Sequence, residues 1–256
     1  NIRFFFIAPV LIAYTILSGA SPSAVRACIM AIAYFGAFLF GRKPDTLSAL
    51  CIALLVIVIW NPLELFSISL ILSFSVAIGL IILYPSINEI IGKIPYLKKY
   101  VPVAPIVGIN WFAKLRNVAK EQFVKLLAIS ITAWLVSAPL SLYFFQIFTP
   151  ISILANIIAI PLATLIIITG TLSVVSGFIS LFLADILNNA NFLFVNILIK
   201  SMAKLLNIPF ISFSVHHKIT VAMIVFWYLL LICAMLFIKR VTEEKKENAS
   251  SKMIQI

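Results

Sequence analysis

The sequence predicts an all-α fold: a polytopic bundle of transmembrane helices with about eight spans, some broken or re-entrant, plus one amphipathic helix lying in the membrane surface. Three observations carry that prediction. Of 256 residues, 63% are hydrophobic and only 11% charged, where soluble domains run at about 45–50% apolar and about 25% charged. Several apolar runs approach or exceed the ~20 residues that cross a bilayer as helix. The runs are punctuated by charged turns, prolines and interfacial aromatics, as at Trp60-Asn61-Pro62.

The net charge of +11 would suit a nucleic-acid partner, but in a membrane protein it is first a signal of topology. Cys28, Cys51 and Cys233 lie inside apolar runs without CxxC spacing. They read as small packing residues, with no disulfide framework and no metal site. The chain starts at Asn1 directly in an apolar run and shows no signal peptide, which leads us to expect one domain of a longer protein.

Taken in order, span one covers about residues 4–17. The stretch Gly19-Ala20-Ser21-Pro22 then interrupts helical hydrogen bonding, because glycine is too free and proline has no N–H to donate. Span two runs over about 24–40, with Ala24, Ala27 and Ala31 permitting close helix contact. It carries Arg26, one turn after Pro22 and flanked by apolar residues. An arginine at that depth costs roughly 2.5–3.5 kcal/mol on insertion scales and should face a protein interior or a watery cavity. The alternative is a helix-start arginine that snorkels to the surface. With no acidic residue in either flanking span, its expected partner is water or a carbonyl freed around Pro22.

A charged turn at Gly41–Asp45 leads to span three, about 47–60, and span four covers about 65–84 with Ser69 and Ser73 on one face. Between Pro85 and Phe123 the composition turns basic. From Trp111 apolar residues recur at three- and four-residue steps, while Lys114, Arg116 and Lys120 occupy the other side. This is the expected interfacial helix, and its cations suit anionic headgroups or a DNA backbone alike.

Span five, about 125–148, contains Pro139, which leaves the carbonyl of Leu135 without its helical partner and predicts a kink. Thr149-Pro150 reads as an N-cap and first-turn proline. The apolar run from Pro150 to Leu183 is long for one span and short for two, so a tilted, broken or re-entrant helix is expected. Within it Asn156 sits among apolar neighbours and Pro161 frees the carbonyl of Ile157. The pair is either a pore or hinge feature or, for the amide, a plain interhelical hydrogen bond. Asp185–Asn189 marks a polar junction, and Asn207-Ile208-Pro209 ends the span that follows. His216-His217-Lys218 precedes the last span, about 219–238. The tail from Lys239 reads as disordered beyond a short helical extension. With eight crossings, Lys200, Lys204 and Lys218 fall on one side, and every other cation except Arg26 on the opposite side, which places both chain ends in the cytoplasm.

Two segments carry a family resemblance. Ser21-Pro22-Ser23-x-Val25-Arg26-Ala27-x-x-Met30 and Ser152-Ile153-Leu154-Ala155-Asn156-Ile157-Ile158-Ala159-Ile160-Pro161-Leu162 resemble signatures of the competence domain of ComEC-type proteins, and Ala133-Trp134 through Pro139 to Phe145 is similar again. Leu72-Ser73-Phe74 resembles that family's Gly-Phe-Gln-Leu-Ser-Phe segment, with Ser69 and Ile71 replacing its glycine and glutamine. The resemblance implies a channel for single-stranded DNA in the bacterial inner membrane. Ser21, Pro22, Ser23, Arg26, Ser73, Asn156 and Pro161 would line or break its path. It implies single-stranded DNA, other competence-machinery proteins and lipids as partners, with a second copy of the chain as an option. The implied division is a channel domain over 1–240, truncated on its N-terminal side, and a charged cytoplasmic tail over 241–256. The family's histidine-bearing segment would precede Asn1, and its nucleic-acid-binding and metallo-β-lactamase-like domains lie outside this sequence.

The reactive groups expected of an enzyme are sparse. There is no HExxH, no paired intramembrane aspartate and no glycine-rich phosphate loop. No catalytic residue, metal ligand or cofactor is expected. Two alternatives stand beside the channel. A small-solute permease should show inverted repeats, and none is convincing. An intramembrane serine hydrolase would use Ser21 of Gly19-Ala20-Ser21, with His216 or His217 as base, but Pro22 directly after the serine is awkward.

Overall fold

The computed structural model describes residues 2–92, 111–207, 213–214 and 220–254. The chain divides into two units, Asn1–Leu83 and Tyr84–Ile256.

In the first unit, α1 (Ile2–Leu17) is closed by a Schellman motif: the N–H of Gly19 donates to the carbonyl of Ile16 and that of Ala20 to the carbonyl of Thr15. Gly19 takes φ +81°, the left-handed conformation that this cap requires and that glycine adopts without steric cost. Helix α2 (Pro22–Gly36) starts at once, with Ser21 as N-cap and Pro22 in the first turn, where its missing N–H costs nothing. The expected interruption is therefore a helix end followed directly by a helix start. Helix α2 stops at Gly36, short of the expected Phe40, and Gly36 lies against the ring of Phe4.

Helix α3 (Thr46–Trp60) is N-capped by Asp45, whose Oδ2 accepts from the backbone N–H of Ser48 at 2.9 Å and its hydroxyl at 2.7 Å. It ends at Trp60 as expected, and a 3-10 turn, Pro62–Phe66, links it to α4 (Ile68–Gly92). Almost every residue of α3 is apolar, so its sequence shows no inward face. Packing selects Ala49, Leu50, Ala53 and Ile57, and the unit's core is Leu50, Ala53, Ile57, Leu70 and Phe74.

In the second unit α5 (Trp111–Phe145) is one helix of 35 residues. The amphipathic segment and span five were expected as separate helices; no glycine or proline lies between them to stop the helix, so they are continuous. Pro139 lies inside α5, and the carbonyl it frees, Leu135, accepts from the Trp227 indole N–H at 3.1 Å. The next carbonyl, Val136, accepts from the Tyr228 hydroxyl at 2.8 Å. Both donors belong to α8 (Val221–Ile254), so the proline break becomes the joint between two helices. A two-residue ladder, unforeseen in the sequence, pairs β1 (Ile147–Phe148) antiparallel with β2 (Phe213–Ser214).

Helix α6 (Ser152–Gly177) begins two residues later than Thr149-Pro150 suggested. The Thr149 carbonyl instead accepts from the Trp134 indole and the Ser152 hydroxyl. The run from Pro150 to Leu183 resolves into α6, unbroken through Pro161, and the turn Phe178–Ser180 that opens α7 (Leu181–Leu206). The polar junction Asp185–Asn189 is the second turn of α7, not a break. Helices α6 and α7 form an antiparallel hairpin with Gly177 against Ala184, Gly170 against the Asn191 amide, and the Ser173 hydroxyl donating to the Ala184 carbonyl at 3.0 Å. The tail expected to be disordered continues α8 to Ile254, through a Lys- and Glu-rich stretch of good helix formers without glycine or proline.

By length and composition α4, α6, α7 and the Val118–Phe145 part of α5 are able to cross a membrane, and four shorter apolar helices accompany them. Among the described residues these apolar segments overlap the positions of the expected spans, and four of them have the length to cross. Lys93, Lys98, Lys99, His216, His217 and Lys218 lie outside the described residues.

Candidate functional site

Three helix ends and a turn come together in the first unit: the C-terminal end of α1, the start of α2, the end of α3, and the 3-10 turn before α4. Among them lies a cavity of about 560 Å³ lined by Ala20, Pro22, Val25, Arg26, Ile29, Val56, Ile57, Trp60, Asn61 and Glu64. The backbone prepares it. The Schellman cap and the Ser21 N-cap turn the chain sharply, and Ala20 in that turn takes φ +47°, a conformation that costs a residue with a Cβ about 1 kcal/mol or more.

Arg26 is only 3% exposed, so the snorkelling alternative fails. Its Nη2 donates to the Ser69 hydroxyl on α4 at 2.7 Å, and its Nε is buried without a partner. The expected backbone-carbonyl partner around Pro22 gives way to a side chain from α4 that reaches the guanidinium; the Ser21 carbonyl accepts from the Val25 N–H within the start of α2. Ser69 stands where the resembling family carries glycine, so the departure noted in the sequence is the residue that holds Arg26. Among the described residues no carboxylate lies within 4 Å of the guanidinium. Glu64 shares its cavity, with Oε2 accepting from the Ser67 hydroxyl at 3.1 Å. The site is therefore a largely apolar cavity holding a buried cation with no described carboxylate in ion-pair range, although Glu64 is in the lining, and a buried cation is strongly drawn to an anion.

Of the other expected residues, Pro22 lines the cavity. Ser21 accepts from the Ala24 N–H at 3.3 Å and lies 3.3 Å from the Ser23 hydroxyl; both serines serve the start of α2. Ser73, half-buried one turn beyond Ser69, is not part of the lining. Asn156 and Pro161 belong to the second unit, on α6, half-buried and exposed respectively. On α5, Arg116 and Lys120 are exposed, and Lys125 pairs with Glu121 at 3.1 Å; the Lys114 side chain lies outside the described residues. Trp60, Asn61 and Glu64 were not expected in the site. Glu64 carried a usable signal, since it is the lone acidic residue between Asp45 and Glu89. Among the described residues no cluster of histidine, cysteine, aspartate or glutamate is arranged to hold a metal.

Helices of this length and apolarity define an α-helical membrane protein, and its first unit holds a buried arginine beside a cavity. Comparison narrows the class: the family model described as "Competence protein" matches residues 1–241, and the chain belongs to that family. It is 24% identical over 231 residues, 89% of its length, to ComE operon protein 3 of Bacillus subtilis (strain 168). The match covers 26% of that relative, so the chain spans about a quarter of its length. No solved structure matches.

Proposed function

We propose that this chain forms the membrane-crossing path by which single-stranded DNA enters a bacterial cell during natural transformation, with Arg26 on that path. The observation that supports it most is the burial of Arg26, only 3% exposed, beside a cavity in which no described carboxylate comes within 4 Å of its guanidinium. A merely structural arginine at such depth would be expected to carry an ion pair; one that serves a polyanion is better left without. In this reading the protein sits in the inner membrane as eight spans with both ends cytoplasmic. The Arg26 cavity, at the opposite end of α2 from Arg42 and Lys43, then opens on the outer side, where a strand arrives. Ser21, Pro22 and Ser23 shape the entrance, while Ser73, Asn156 and Pro161 belong to later parts of the path. The exposed cations Arg116 and Lys120, with Lys114, meet the strand or anionic lipid on the cytoplasmic side. Other competence proteins, and a second copy of the chain, are partners of this reading.

The test is transformation frequency in cells carrying variants of the full-length gene, with membrane abundance measured in parallel. Arg26→Lys retains part of the uptake because charge survives, Arg26→Ala abolishes it at normal abundance, and Arg26→Glu does no better than alanine. Normal transformation by the alanine variant would end the assignment of Arg26 to the path.

A further inference from the structure

The cavity that holds Arg26 also presents an aromatic face. Trp60 lines it while remaining 89% exposed, so most of the indole is left uncovered by the rest of the protein. Asn61 directly after it is held in a local turn, its Oδ1 accepting from the Leu63 N–H at 3.2 Å, and this turn carries Glu64 to the same wall. Arg26, the uncovered Trp60 indole and the Glu64 carboxylate thus line one cavity of about 560 Å³, within the range of roughly 300–1,000 Å³ that accommodates small-molecule ligands.

We propose that this cavity is a weak single-nucleotide site: Arg26 takes one backbone phosphate, Trp60 stacks the base attached to it, and Glu64 limits how tightly the phosphate is held. The proposal rests on the reading of the chain as a DNA path and adds what the path grips. Stacking suits a route that must accept any sequence, because every base has a π-face. The carboxylate suits transport, because a conducting site must attract its cargo and still release it. A second origin for Trp60 is the aromatic belt that anchors helices at membrane interfaces; in that role the indole would not sense whether a strand carries bases.

The experiment uses the full-length protein in nanodiscs of phosphatidylcholine. It follows the fluorescence anisotropy of a labelled short oligothymidylate and of an abasic strand of the same length. The wild type is expected to bind the oligothymidylate about tenfold more tightly than the abasic strand, the weight of one stacked base. Trp60→Ala should erase that ratio and Trp60→Phe restore most of it. Arg26→Gln should weaken both strands alike, with Arg26→Lys as the milder variant in case the first does not fold. Glu64→Gln should tighten both about fivefold by removing one nearby repulsion. Equal binding of the two strands by the wild type, or an unchanged ratio in Trp60→Ala, overturns the proposal and leaves Trp60 as an anchor. Loss of strand binding when phosphatidylglycerol is added would assign the cavity to a lipid phosphate and overturn it equally. If neither strand binds while transformation still depends on Arg26, the DNA path stands and the nucleotide site falls.

Discussion

Arg26 shows how much a single contact decides. A guanidinium inside an apolar bundle is costly, and the Ser69 hydroxyl at 2.7 Å is the acceptor that meets it. Hydrogen bonds to charged groups contribute about 1.5–3 kcal/mol. Ser69→Ala should therefore lower stability by about that amount in thermal unfolding of the detergent-purified protein, while Ser73→Ala, off the cavity, changes it far less. Asp45 gives a pH-dependent counterpart outside the apolar helices, as the N-cap of α3. The hydrogen bonds from the Ser48 hydroxyl and backbone N–H favour the ionised carboxylate and hold its pKa below the ordinary value. A carboxylate lowered in the folded state contributes stability above its unfolded pKa and loses it as pH falls through the folded one. The wild type should thus melt above Asp45→Ala at neutral pH, and the gap should close as the pH drops below the ordinary carboxylate range. A gap that persists in acid would mean that the Asp45 bonds do not depend on its charge.

At the scale of elements, α5 and α8 are joined through a defect. Pro139 removes the N–H that would have bonded Leu135, and Trp227 supplies another donor from α8. A carbonyl left unpaired among lipid tails has no water to bond and costs about 1–3 kcal/mol, so Trp227→Phe should destabilise the protein by that order. In the Pro139→Ala background the helix can bond its own carbonyl, and the same tryptophan substitution should cost much less. A double-mutant cycle followed by denaturant unfolding in micelles reads the difference; additive losses would show that the indole bond is incidental. The α6–α7 hairpin follows another rule. Its closeness depends on small residues, and at Gly170 an added Cβ would meet the Asn191 amide at 3.0 Å.

For the whole molecule the informative quantity is charge distribution. In the proposed eight-span arrangement its cations would fall overwhelmingly on one side. In a cysteine-free background, Lys98→Cys and Lys245→Cys should be labelled by an impermeant thiol reagent only from the cytoplasm, and Val215→Cys only from outside. Labelling of position 245 from outside would remove the eight-span arrangement, and with it the placement of the Arg26 cavity on the outer face.

The sequence by itself determined the class, the apolar segments and several helix ends. Apolar length, glycine, proline and N-cap residues act within a few positions of where they stand, as Gly19, Pro22, Asp45 and Trp60 illustrate. Arg26 could be singled out for the same reason, because its cost depends only on apolar neighbours in the chain. Tertiary structure alone decided which side of α3 packs inward, since a helix apolar all round has no periodicity to read. It alone decided that Ser69 on α4 holds Arg26, that Trp227 repairs the break at Pro139, and that Trp60 and Glu64 share one cavity. Each of these joins residues from separate elements, and the hydrogen bond or close approach that joins them exists only once the helices have packed.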